Sequence, residues 1–195
     1  MEAELNLVLA ILGVLLLLFL TIFGLLVHSG LFTKFEIRAG KPPFDNLLVA
    51  YRFARGPYKN AGNLFTEVHL LAPSLKTIGV YYDDPQEVSS SDLRFIVGAV
   101  LDDSDDEKSK ENEKILLDQG YKLITFPAVS NAITTTFPFK NTLSIFIAVS
   151  RVYPQLNEFI KVRSLCAHPM IEVYDKGTIV FVAPLARQDE FYVPE

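Results

Sequence analysis

KTIGVYYD (76–83) and MIEVYD (170–175) are one strand pattern written twice. Ile78, Val80 and Tyr81 of the first recur as Ile171, Val173 and Tyr174 of the second, each 93 positions on. Two further landmarks, Pro43 and Phe53, recur 84 positions on as Pro127 and Phe137. Around these pairs the order of elements repeats. FEIRAGKPPFDNLLVAYRF (35–53) is extended and broken at Pro42-Pro43, and a short helix around Leu64 to Leu71 is stopped by Pro73. KTIGVYYD and LRFIVGAVL (93–101) supply two strands. In the second half YKLITFPAVSNAITTTFPF (121–139) is again extended with a proline in its middle. A helix then runs from about Asn141, with apolar residues at three- and four-residue spacing. MIEVYD and TIVFVAP (178–184) meet across Lys176-Gly177, a hairpin turn. The shorter offset lies before the second helix, which is the longer of the two. Two strand–helix–strand–strand units, about 35–101 and 121–184, predict an α+β domain with helices on one face of an antiparallel sheet. A groove between the halves is the expected place for a ligand.

Upstream of the repeat, Leu7 to Val27 carries no charge. As a helix this stretch spans about 32 Å, matching a bilayer core of roughly 30 Å. A cleaved signal peptide is the rival reading. It fits poorly, because Glu2 and Glu4 precede the run, no Lys or Arg does, and no A-x-A site follows. Lys34, Arg38 and Lys41 all lie downstream, so the positive-inside rule puts residues 1–6 in a lumen, the span at 7–27, and the domain at 28–195 in the cytosol. The absence of any N-x-[ST] sequon and the single cysteine agree with that orientation. A span of this length suits the thinner bilayer of the endoplasmic reticulum.

Composition excludes several classes. With 50% hydrophobic and 21% charged residues the 195-residue chain is not disordered, and one cysteine permits no internal disulfide. A net charge of -5 gives no reason to expect direct nucleic-acid binding. No Gly-rich phosphate loop, G-x-S-x-G elbow or H-E-x-x-H motif is present, and the spacing of His28, His69 and His168 suggests no metal site. Cys166 and His168 share a face on an extended segment, but nothing nearby orients them as a nucleophile and base, so the cysteine reads as structural. No catalytic residue, metal or cofactor is expected. The acidic run from Asp102 to Lys114 reads as a solvated loop, within which Ser104, followed by acids in SDDE (104–107), suits an acidophilic kinase.

VAYRFARGPY (49–58), NLFTE (63–67), KTIGVYYDDP (76–85), TTTFPF (134–139), LSIFIAVSRVYP (143–154), LCAHP (165–169) and PLARQDEFYVPE (184–195) give the chain its likeness. It resembles the membrane-anchored endoplasmic-reticulum autophagy receptors with a gyrase-inhibitor-like (GyrI-like) domain. The resemblance implies a duplicated GyrI-like domain on a reticulum anchor. It also implies a disordered tail after the domain with a motif for autophagosomal ubiquitin-like modifiers, and a link to a hexameric unfoldase and protein–DNA crosslink repair. Within the chain, FDNL (44–47) and YPQL (153–156) have the aromatic-x-x-aliphatic spelling, either as docking motifs or as packing of the domain. Some GyrI-like proteins hold cationic, amphipathic molecules in an aromatic groove with a buried acid, and a few hydrolyse small substrates. On that likeness Glu172, with Tyr51, Tyr81 and Tyr174, is the expected ligand site. Glu172 shares a strand face with Tyr174, and its counterpart in the first repeat, Gly79, leaves space. The other reading of Glu172 is a solvent-facing residue on an edge strand. Two functions are thus expected: a reticulum membrane adaptor, or alternatively an anchored small-molecule binder.

Overall fold

The computed structural model describes residues 1–101 and 107–194. In chain order the elements are α1 (Glu2–His28), β1 (Arg38–Gly40), β2 (Leu47–Arg55), α2 (Ala61–Leu71), β3 (Lys76–Tyr81), β4 (Arg94–Leu101), α3 (Glu107–Asp118), β5 (Lys122–Phe126), β6 (Ala132–Pro138), α4 (Thr142–Val162), β7 (Met170–Asp175) and β8 (Thr178–Pro184). α1 is one uninterrupted helix, long and apolar enough to cross a membrane, and none of its residues is buried.

All eight strands join one antiparallel sheet in the order β1-β6-β8-β7-β3-β4-β2-β5. The first repeat contributes β3-β4-β2 and the second β7-β8-β6, so the halves mirror one another across the β3–β7 seam. Ile78 pairs with Val173, Gly79 with Glu172 and Val80 with Ile171. Gly79 therefore faces its own counterpart in the duplication, and the pseudo-twofold axis passes through the Gly79–Glu172 pair. The β7–β8 hairpin turns at Lys176 and Gly177, with φ of 36° and 87°. Both central residues are left-handed, as the favoured two-residue hairpin turn requires.

The sheet is strongly curled. Six strand spacings would part β5 from β6 by about 29 Å in a flat sheet. Residues 127–131 reach only about 22 Å when fully extended. The curl encloses a core on the helix-free face, with Ile78, Ile96, Phe126 and Val182, stoppered by Phe191 of the C-terminal segment. On the other face α2 covers Phe95 and Val97, while α4 covers Ile133, Phe137 and Phe181. α4 starts at a capping box, in which Asn141 accepts from the Ser144 N–H and Ser144 accepts from the Asn141 N–H.

One feature departs from the sequence reading. The acidic stretch is not all loop, because Glu107–Asp118 is α3, anchored by buried Leu116 against the α2 layer. The candidate Ser104 lies outside the described residues. The 121–139 segment is two strands that pair with different partners, β5 with β2 and β6 with β8.

Candidate functional site

At the pseudo-twofold axis, on the face covered by α2 and α4, lies Glu172, only 3% exposed. β7 is a central strand, which excludes the solvent-facing edge reading. Strand alternation puts Glu172 and Tyr174 on the helix side, and Tyr81, the repeat counterpart of Tyr174, reaches the same point from β3. Tyr153 descends from α4. The Tyr153 hydroxyl donates to Glu172 Oε1 at 2.6 Å, and those of Tyr174 and Tyr81 donate to Oε2 at 2.8 and 3.4 Å. Gly79 supplies no side chain, and Phe65 of α2 fills the space over it. A Cβ on Gly79 would stand 2.8 Å from Phe65 Cζ and 3.1 Å from the Tyr81 hydroxyl. The Phe65 ring also meets Tyr174 edge-on, with centroids 4.9 Å apart.

Burial drives the electrostatics. It lifts the Glu172 carboxyl above the usual carboxylate range, and the three donated hydrogen bonds pull against that rise. The same burial, reinforced by the carboxylate, holds Tyr81, Tyr153 and Tyr174 well above an ordinary phenol. These phenols therefore stay protonated and act as donors. The result is a satisfied, closed polar cluster in an aromatic wall. A cationic guest would need Phe65 or one of the hydroxyls to move aside.

Tyr51 does not join this cluster. It is 3% exposed, on the opposite face of the sheet, packed in the helix-free core. Tyr153 and Phe65 belong to the cluster and were not among the residues expected from sequence. No strand pattern signals them, because only helix docking brings them to the axis. Gly79→Val is expected to cost about 1–3 kcal/mol by overpacking against Phe65. Phe65→Ala in the same chain should recover part of that loss, read by urea unfolding in detergent. A neutral Gly79→Val would show that the space over Glu172 is open.

The other sequence candidates are engaged in the fold. In FDNL, Phe44 and Leu47 line a groove of about 310 Å³ at one end of the curl, Asn46 Oδ1 accepts from the Ala128 N–H at 2.7 Å, and Leu47 pairs with Phe126. In YPQL, Tyr153 holds Glu172 and Leu156 is buried. Neither is an unpaired extended strand. Cys166 is exposed, and the His168 ring meets the Tyr192 hydroxyl at 3.2 Å rather than the thiol. Among the described residues no group of three or more His, Cys, Asp or Glu side chains is arranged to hold a metal.

The fold defines a class: an α+β protein whose duplicated strand–helix–strand–strand domain follows an N-terminal helix apolar enough to cross a membrane. Within it, the chain is homologous to testis-expressed protein 264. It is 44% identical over 183 residues to Testis-expressed protein 264 of Homo sapiens, covering 94% of this chain and 58% of that protein. Against Testis-expressed protein 264 homolog of Mus musculus it is 44% identical over 168 residues, covering 86% of this chain and 54% of that protein. The chain thus spans little more than half the length of the curated relatives it matches, and their names carry no enzymatic activity. No family model matches. Among solved structures, an integron cassette protein from the mobile metagenome of Vibrio cholerae aligns with a TM-score of 0.46 at 15% identity, over 78% of this chain and 96% of that one. A hydrolase from Listeria innocua aligns with a TM-score of 0.42 at 8% identity, over 78% and 92%.

Proposed function

We propose that the chain is a single-pass adaptor of the endoplasmic-reticulum membrane, its N-terminus lumenal and its GyrI-like domain in the cytosol, recruiting protein partners to that surface. The observation that carries this reading is the state of α1. None of its residues is buried, and its side-chain packing is confined to its last turns, where Leu26 meets the domain and Phe23 meets Phe32, yet Ser29 just past its end is wholly buried in the domain. A cleaved leader has no reason to be built into the core it leaves behind. The closed cluster around Glu172 favours recruitment by the folded surface over capture of a small molecule. By resemblance the partners are autophagosomal ubiquitin-like modifiers and a hexameric unfoldase, which ties the adaptor to reticulophagy and to protein–DNA crosslink repair. The modifier motif belongs to a tail after the domain, since FDNL and YPQL are folded away.

Sequon placement tests the topology, because the chain has no native sequon. An Asn-x-Ser site added before Leu7 should be glycosylated in microsomes, and one placed in the Asp84–Ser91 loop should not. Glycan on the loop instead would overturn the adaptor reading. Cationic amphipathic molecules should leave the thermal unfolding temperature unchanged; a concentration-dependent rise would favour the ligand-binding alternative.

A further inference from the structure

The join between α1 and the domain is a rigid clamp. α1 ends in a Schellman turn: the Leu31 N–H bonds to Leu26 O at 3.0 Å and the Gly30 N–H to Val27 O at 3.1 Å, with Gly30 at φ +107°. A Cβ on Gly30 would meet the Phe137 ring at 2.9 Å, so both the turn and the packing demand glycine. Asn141 Nδ2, at the start of α4, donates to Ser29 Oγ at 3.0 Å. Arg151 Nη1 donates to Gly30 O at 3.0 Å. The direction of α1 is therefore set by α4 and β6.

The turn also reverses the chain. Phe32 comes back alongside α1 and meets Phe23, with ring centroids 6.2 Å apart. Phe23 lies five residues before the end of α1, about 8 Å along its axis. Phe32 is 65% exposed even so. Two residues on, Lys34 is exposed and has no ion pair among the described residues, whereas Arg38 and Lys41 are held by Glu36 and Asp45 at 2.6 and 2.7 Å. A bare aromatic ring beside an apolar helix, followed by an unpaired ammonium, matches the depth and chemistry of a bilayer interface.

We propose that Phe32 and Lys34 form a foot that seats the domain on the lipid headgroup layer, the ring among the upper acyl carbons and the ammonium on phosphate. The proposal rests on α1 being a retained membrane anchor. A domain so seated presents one fixed face to the cytosol.

The chain has no tryptophan, so Phe32→Trp gives a single reporter at an exposed position. The full chain is reconstituted in phosphatidylcholine vesicles, with and without phosphatidylserine. The emission of Phe32→Trp should be blue-shifted and lose most of its intensity to lipids brominated near the headgroup end of the chain. Lys34→Glu in that background should weaken the quenching, more so when phosphatidylserine is present. Phe23→Trp, measured in parallel, reports the anchor itself. If Phe23→Trp is quenched but Phe32→Trp emits as in water and yields to iodide, the foot is refuted and the anchor stands. Blue emission indifferent to brominated lipid would mean that a second copy of the chain covers Phe32, which also refutes it. If Phe23→Trp is not quenched, the anchor reading falls and takes the foot with it.

Discussion

Glu172→Leu is expected to destabilise the domain by about 3 kcal/mol or more, because three buried hydroxyls lose their acceptor and each stranded donor costs roughly 1–3 kcal/mol. The hydroxyls of Tyr81, Tyr153 and Tyr174 converge from β3, α4 and β7, so the loss falls on the seam that unites the two repeats. Glu172→Gln is the informative companion. It keeps an acceptor oxygen but carries no charge into the interior. Burial raises the folded-state pKa of Glu172 above the 4.5 of a free side chain, so the folded chain holds that proton more tightly than the unfolded one. The stability it contributes is full below the unfolded pKa and is lost as pH rises through the folded pKa. Glu172→Gln removes that dependence, and its stability relative to the parent should increase from acid to neutral pH. Urea midpoints of the parent and both variants in detergent, taken across this range, decide the matter. A Glu172→Leu chain as stable as its parent would mean that the cluster holds nothing together.

Gly98→Ala is the second large effect, expected to cost about 3 kcal/mol or more, at the upper end of overpacking losses. On β4 Gly98 lies opposite Tyr51 of β2 and Ile78 of β3. An added Cβ would collide with the Ala50 carbonyl oxygen and stand 2.9 Å from Tyr51 Cα. These are backbone atoms in a paired strand, so no rotamer change relieves the clash and the β2–β4 ladder must part. Gly62→Ala, in α2 with nothing within 4 Å, is the contrasting control and should be neutral or slightly stabilising. Thermal unfolding by circular dichroism separates the two. Equal melting temperatures would show that β2 and β4 do not approach as closely as described.

The duplication was legible because Ile78, Val80 and Tyr81 recur at a constant offset, and a register built on equivalent positions follows from it. Glu172 was legible for a similar reason: a lone acid among alternating apolar residues marks one strand face. Tyr51 was not. β2 reads LLVAYRFAR and is covered on both sides, so no alternation reveals which residues share the face of Glu172. The acidic character of Glu107–Asp118 concealed a helix whose packing depends on Leu116. In FDNL and YPQL the spelling was visible, but its engagement in the fold was not.

What this sequence determines by itself is local and periodic. A charge-free span becomes an apolar helix, and a repeated strand pattern becomes two matching units, because hydrophobic periodicity and turn residues act within a few positions of one another. Tertiary structure alone decided that Tyr153 and Phe65 close over Glu172, that Tyr51 turns to the other core, and that Ser29 and Gly30 lock α1 to Asn141 and Arg151. Those contacts join residues far apart in the chain, and they depend on how two helices dock on a curled sheet, a geometry set by packing that no short window of sequence records.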